Sequence, residues 1–101
     1  MSTVCFDDFF AVLSNKQRLN ILRYIEDNGP SNVTDIAAGL EVEQSSISHS
    51  VKRLLLCHFV TVEQKGKERV YSLDQATVEP LLGLIEKHVR AHCVKECAHS
   101  K

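Results

Sequence analysis

Residues 88–101 read HVRAHCVKECAHSK and gather His88, His92 and His99 with Cys93 and Cys97. Imidazole nitrogen and thiolate sulfur are the donors that borderline and soft ions select, so this segment has the composition of a metal or metalloid site. Spacing limits what it can do. At about 100° per residue, an α-helix puts His88 and His92 on one face and Cys93 and Cys97 on another about 140° away. One ion cannot collect all four from an unbroken helix. Either the helix ends near residue 92 and the tail folds back, or the thiols take ligands from elsewhere. A thiol redox switch is a second reading, although a helical i,i+4 pair lies at the edge of disulfide geometry. A third leaves the histidines packed at a seam and the cysteines in a frayed tail. Cys57, between Leu56 and His58, reads as a small buried hydrophobe, with a ligand role as the alternative.

A second set of chemically active residues lies mid-chain. The 101 residues carry a net charge of −1, which alone argues against a nucleic-acid binder. Divided along the chain the charge is uneven: residues 1–43 hold three Lys/Arg and seven Asp/Glu, residues 44–70 hold five and two, and residues 71–101 hold four of each. The cationic middle marks an electrostatic footprint. Hydrophobic content of 44% and charged content of 25% suit one soluble domain spanning 1–101. No apolar run approaches the roughly 20 residues of a membrane helix, and Asp7 and Asp8 stand where a signal peptide would be basic. A cytoplasmic location is expected, where the four cysteines are reduced thiols.

The elements that must position these groups are short. Phe6, Phe9, Phe10 and Leu13 repeat at helical spacing. Ser14-Asn15-Lys16-Gln17 fits a capping box opening a second helix, with Leu22 and Ile25 inward, that stops at Asn28-Gly29-Pro30. Asn32 caps a third helix over Val33 to Leu40, and a fourth runs from Gln44 to Leu56 with Ile47, Val51 and Leu54 on one face. Two short helices joined by about three residues outline a helix-turn-helix. Val60 to Gln64 and Glu68 to Leu73 alternate about Lys65-Gly66-Lys67, predicting a hairpin. A last helix from near Gln75 carries an apolar stripe at Val78, Leu81, Leu82, Ile85, His88, Val89 and His92. The predicted class is mostly α with a small β-hairpin, ordered α1-α2-α3-α4-β-β-α5: a winged helix-turn-helix.

The stretch NVTDIAAGLEVEQSSISHSVKRLLLCHFVTVEQKGKERVYSL resembles the core of the arsenic-repressor (ArsR/SmtB) family of transcription regulators, through its SSISHSVKRL helix, LLLCHFV exit and KGK tip followed by VYSL. NKQRLNILRYI is similar to that family's second helix, and the likeness covers roughly residues 6–92. It implies that the fourth helix reads DNA. Gln44, Ser45, Ser46, Ser48 and His49 near its start supply hydrogen-bonding side chains for the major groove. Lys52 and Arg53, with Lys65, Lys67 and Arg69 on the wing, are placed for phosphates. The bland alternative is a solvated polar helix and a charged hairpin. In the resembled family the first and last helices build a homodimer, and here those helices carry apolar faces beyond what one small core hides. A two-fold pair of reading heads suits a palindromic operator.

The family's known sensor sites are not intact in this sequence. Its paired cysteines at the third helix fall on Asn32 and Thr34, and its last-helix Asp and His fall on Gln75 and Thr77. His88 matches the next ligand, but Ala91 stands three residues on. The resemblance packs the first helix beside the last, which makes Cys5 the candidate third thiol. Cys5, Cys93 and Cys97 together suit As(III), Cd(II) or Pb(II), and His88 or His92 would add the nitrogen that Zn(II) accepts. No cofactor is required for the fold on this reading. The expected function is a DNA-binding repressor released when a thiol-liganded effector binds near the terminal helices. A redox-responsive repressor and a winged protein-interaction module that never touches DNA are the alternatives. An enzyme is not expected, because no glycine-rich loop or pocket-forming sheet stands behind the Cys and His residues.

Overall fold

The computed structural model describes the backbone of residues 2–93 and the side chains of residues 7–92. Helix α1 (Ser2–Leu13) leads into α2 (Lys16–Asn28) through a two-residue link. The capping box predicted there is replaced by a different arrangement. Asn15, not Ser14, caps α2 by accepting from the Arg18 N–H at 2.9 Å, while the Ser14 hydroxyl donates back to the Ala11 carbonyl at 3.0 Å. One residue closes α1 and the next opens α2, because a sharp link leaves both helix ends unsatisfied within two positions. Gly29 ends α2 with φ +83°, its N–H donating to the Ile25 carbonyl.

Helix α3 (Val33–Leu40) opens as expected on Asn32, which accepts from the Asp35 N–H at 2.7 Å. It closes on Glu41 in the left-handed region, φ 58°, and α4 (Gln44–Leu56) follows. Strands β1 (Val60–Lys65) and β2 (Glu68–Leu73) pair antiparallel from Val60↔Leu73 to Lys65↔Glu68. Gly66 at the tip has φ +64°, which glycine adopts without the Cβ penalty. Ser31 extends the sheet by one bridge, exchanging both backbone hydrogen bonds with Tyr71 and anchoring the α2–α3 link to the wing.

Helix α5 (Val78–His88) starts three residues after the position read from the sequence. The Asp74 carboxylate accepts from the Thr77 hydroxyl and from the N–H groups of Thr77 and Val78, and this turn holds residues 74–77 outside the helix. Beyond His88 the backbone widens into a π-helical turn, Val89–Cys93.

One core joins all the helices to the sheet. Ile21, Leu22 and Ile25 of α2 meet Ile36 of α3, Ile47, Val51 and Leu54 of α4, and Phe59, Val60, Leu73, Val78 and Leu82. Helix α1 contributes Val12, fully buried, and Phe9, whose ring stacks on Phe59 at 4.9 Å. The last helix is only partly used. Val78 and Leu82 are buried, whereas Leu84, Ile85 and Val89 remain 64%, 41% and 43% exposed. No helix among the described residues is long and apolar enough to cross a membrane.

Candidate nucleic-acid interface and candidate sensor site

The position of α4 follows from its pattern. Ile47, Val51 and Leu54 bury one side, so at about 100° per residue the opposite side falls to Ser45, His49, Lys52 and Leu56. All four are exposed, as are Gln44, Ser48 and Arg53 on the flanks. Ser46 differs. It is half-buried, and its hydroxyl lies 3.0 Å from the Gln17 amide nitrogen, within the seam between α4 and α2. Leu56 is 72% exposed and puts an apolar end on the polar face.

On the wing, Lys65, Lys67 and Arg69 are all exposed around the Gly66 turn. The Gln64 side-chain amide donates to the Gly66 carbonyl at 3.0 Å and stiffens the tip. The Arg69 guanidinium lies 6.0 Å from the centre of the Tyr71 ring, a cation–π distance that holds the arginine along the strand. Between this wing, Ser48 of α4 and the start of α3 at Asn32 and Thr34 lies an open polar cleft of about 440 Å³. Its cationic wall is Lys67 and Arg69; Asp35 and Glu68 make it locally mixed in sign. Exposed basic groups therefore stand on two elements, Lys52 and Arg53 on α4 and Lys65, Lys67 and Arg69 on the wing, and Ser48 of α4 meets the wing across the cleft.

A second region lies where α1, α2 and α5 meet. Leu13, Leu19, Leu82, Ile85 and Val89 line an apolar groove of about 420 Å³, with Arg23, Glu26, Glu86 and Arg90 at its rim. Arg90 donates from Nε and Nη2 to the Glu86 carboxylate at 3.0 and 2.8 Å. Partial burial, then the Glu86 charge, pushes the Glu26 carboxyl above its usual range.

The groups read as metal ligands are only partly in view. His88 and His92 are exposed, with ring centres 4.7 Å apart on one face, as their spacing requires. Cys97 and His99 lie outside the described residues, and so do the side chains of Cys5 and Cys93. Among the described residues no group of three His, Cys, Asp or Glu is arranged to hold an ion. Cys57 caps the end of α4, half-buried with a free thiol. Sequence reasoning missed Gln17, which it assigned to the capping box; no local signal could have found its partners, which lie 29 and 33 residues away.

Five α-helices and a two-strand wing, with a basic helix at the second position of a helix-turn-helix, place the chain in the winged helix-turn-helix class. A family model described as bacterial regulatory protein, arsR family, matches residues 15–62. The arsenical resistance operon repressor of Bacillus subtilis is 32% identical over 77 residues, covering 76% of this chain and 73% of that protein. The HTH-type transcriptional regulator NmtR of Mycobacterium tuberculosis is 39% identical over 70 residues, which are 69% of this chain but 58% of NmtR. The chain belongs to the arsR family of bacterial regulatory proteins. Among solved structures, the homodimeric winged helix-turn-helix DNA-binding domain of Mb0332 from Mycobacterium bovis superposes with a TM-score of 0.79 at 22% identity, covering 91% of this chain and 88% of that one. At that identity the likeness concerns the fold.

Proposed function

We propose that this protein is a homodimeric, sequence-selective DNA-binding repressor whose α4 enters the major groove while the wing holds the flanking backbone. The observation that carries this reading is the exposure of Gln44, Ser45, Ser48, His49, Lys52 and Arg53 on the second helix of the helix-turn-helix together with Lys65, Lys67 and Arg69 on the wing. The two relatives named as a repressor and as a transcriptional regulator support it. Ser46 joins the set from the edge of the seam.

Dimerisation is supported by the uncovered part of α5 and by the groove beside it. Ile85 and Val89 are too exposed to belong to this chain's own core, and a second copy would remove them from water. A palindromic operator is the matching DNA partner.

The effector proposed is a soft metal or metalloid ion held by Cys93, Cys97 and Cys5, with His88 and His92 available for Zn(II). The donors fit: thiolates suit As(III), Cd(II) and Pb(II), and adjacent imidazoles extend the set to Zn(II). The π-helical turn supports the grouping. Its i→i+5 repeat stacks position 93 over position 88, where an uninterrupted α-helix would turn it about 140° away. The Bacillus subtilis relative is named for arsenical resistance, which favours a thiol-seeking effector. Ligation would pin the terminal helices and lower operator affinity by a coupling free energy of about 1–3 kcal/mol.

A gel shift on the upstream region of its own gene, titrated with salt, tests the DNA reading. Selective binding that weakens steeply with salt is expected; indifference to sequence and salt would refute it. Titrating As(III), Cd(II) or Zn(II) against the bound complex of wild type and of a Cys93→Ser/Cys97→Ser variant tests the effector. Release of wild type alone is expected, and full responsiveness of the variant would remove these thiols from the mechanism.

A further inference from the structure

Gln17 lies in the first turn of α2, and its side-chain nitrogen is 2.7 Å from the Ser50 hydroxyl, 3.0 Å from the Ser46 hydroxyl and 3.3 Å from the Ser46 carbonyl. A carbonyl can only accept, so the amide nitrogen, not its oxygen, must face α4. Two protons shared among three acceptors are then fully engaged. Ser46 and Ser50 stand one turn apart on the same side of α4, and Ser50 is buried. The neighbouring Ile21, Leu22, Ile47 and Val51 bury apolar surface but impose little direction, since the hydrophobic effect is not directional. Hydrogen bonds are directional, so the amide sets how α4 is rolled against α2.

We propose that Gln17 is a positioning residue for DNA reading, fixing the roll of α4 and presenting Ser46 to the groove as a hydrogen-bond donor. This rests on α4 being the reading helix. A serine hydroxyl has one proton and two lone pairs; with Gln17 donating to the oxygen, the proton is left to point outward. The base edge facing Ser46 is then an acceptor: N7 or O6 of guanine, N7 of adenine or O4 of thymine, but not the N4 amino group of cytosine. The same stretch of chain is tied to α1, since Ser14 closes that helix on Ala11 and the Arg18 Nε donates to the Val12 carbonyl at 3.4 Å. A shift of α1 would therefore reach the reading helix at Gln17.

Wild type, Gln17→Met, Ser46→Ala and the double variant can be compared on a duplex selected from a randomised library and on a scrambled duplex across one salt series, with thermal unfolding followed in parallel. Gln17→Met should lose about tenfold or more of its affinity for the selected duplex, the scale of one mismatched base pair. Its affinity for the scrambled duplex and its salt slope should not change. The double variant should bind no worse than the weaker single, because both substitutions remove one device. Undiminished selective binding by Gln17→Met, or an equal loss on both duplexes, would overturn the proposal. Should Gln17→Met fail to fold, Ser46→Ala decides: relaxed selection at one base-pair position supports the device, and unaltered selection refutes it. Failure of the DNA reading itself looks different, since wild type would then select no sequence at all.

Discussion

Single side chains carry the electrostatics of the proposed interface. Each phosphate neutralised by a lysine adds about 0.9 to the slope of log affinity against log salt. Lys65→Ala/Lys67→Ala removes two exposed wing cations, so the slope should fall by about 2, by fluorescence anisotropy on one duplex across a salt series. The Ser45 and His49 positions should instead alter which duplex is preferred. Asp74 acts on the fold. The Thr77 hydroxyl, then the Val78 and Thr77 N–H groups, hold its carboxyl below the usual range. A depressed carboxylate stabilises above its unfolded pKa of about 4 and loses that contribution as pH falls through the folded value. Asp74→Ala should therefore melt earlier at neutral pH, and its difference from wild type should vanish in acid. Residue types at this scale were legible in the sequence because charge and donor chemistry need no fold. The role of Gln17 was not, since its nearest local partner, Ser14, offered a plausible cap that the chain uses otherwise.

Helices and strands were legible wherever their signals are local. Asn32 capping α3, Gly29 ending α2, and the alternation about Gly66 each act within four residues, and the elements appear where those signals put them. The start of α5 was misplaced because the Asp74 turn competes with the helix for residues 74–77. Packing between elements lies beyond such signals, as Gly39 on α3 illustrates. An ideal Cβ there would clash with Cε2 of Tyr24 on α2. Replacing a helical glycine by alanine ordinarily gains at most about 1 kcal/mol, whereas overpacking costs about 1–3 kcal/mol. Gly39→Ala should thus destabilise by about 1–2 kcal/mol in chemical denaturation. In a Tyr24→Ala background the same substitution should turn stabilising, a sign change that a loss unrelated to the ring would not give.

For the whole molecule, the deciding feature is surface that one chain leaves uncovered. Leu84 and Ile85 on α5 and Val89 at the start of the π-helical turn, beside the groove that meets α1 and α2, give the terminal helices an apolar face. Ile85→Glu/Val89→Glu should leave the monomer folded, because neither residue belongs to the buried core, yet shift light scattering from dimer to monomer. Selective DNA affinity should then drop by about 10³, toward non-specific binding, since one reading head contacts only a half-site. A variant that remains dimeric would move the interface elsewhere.

By itself the sequence determined the order and type of the elements, the basic middle of the chain and the soft donors at its end. Those features depend on periodicity, caps and composition, each expressed over a few neighbouring residues. The tertiary structure alone decided how much of the α5 stripe is hidden, that the backbone widens over Val89–Cys93, and that Gln17 reaches Ser46 and Ser50. Such outcomes depend on the angles at which helices cross, and those are fixed by side-chain interlocking across the whole core.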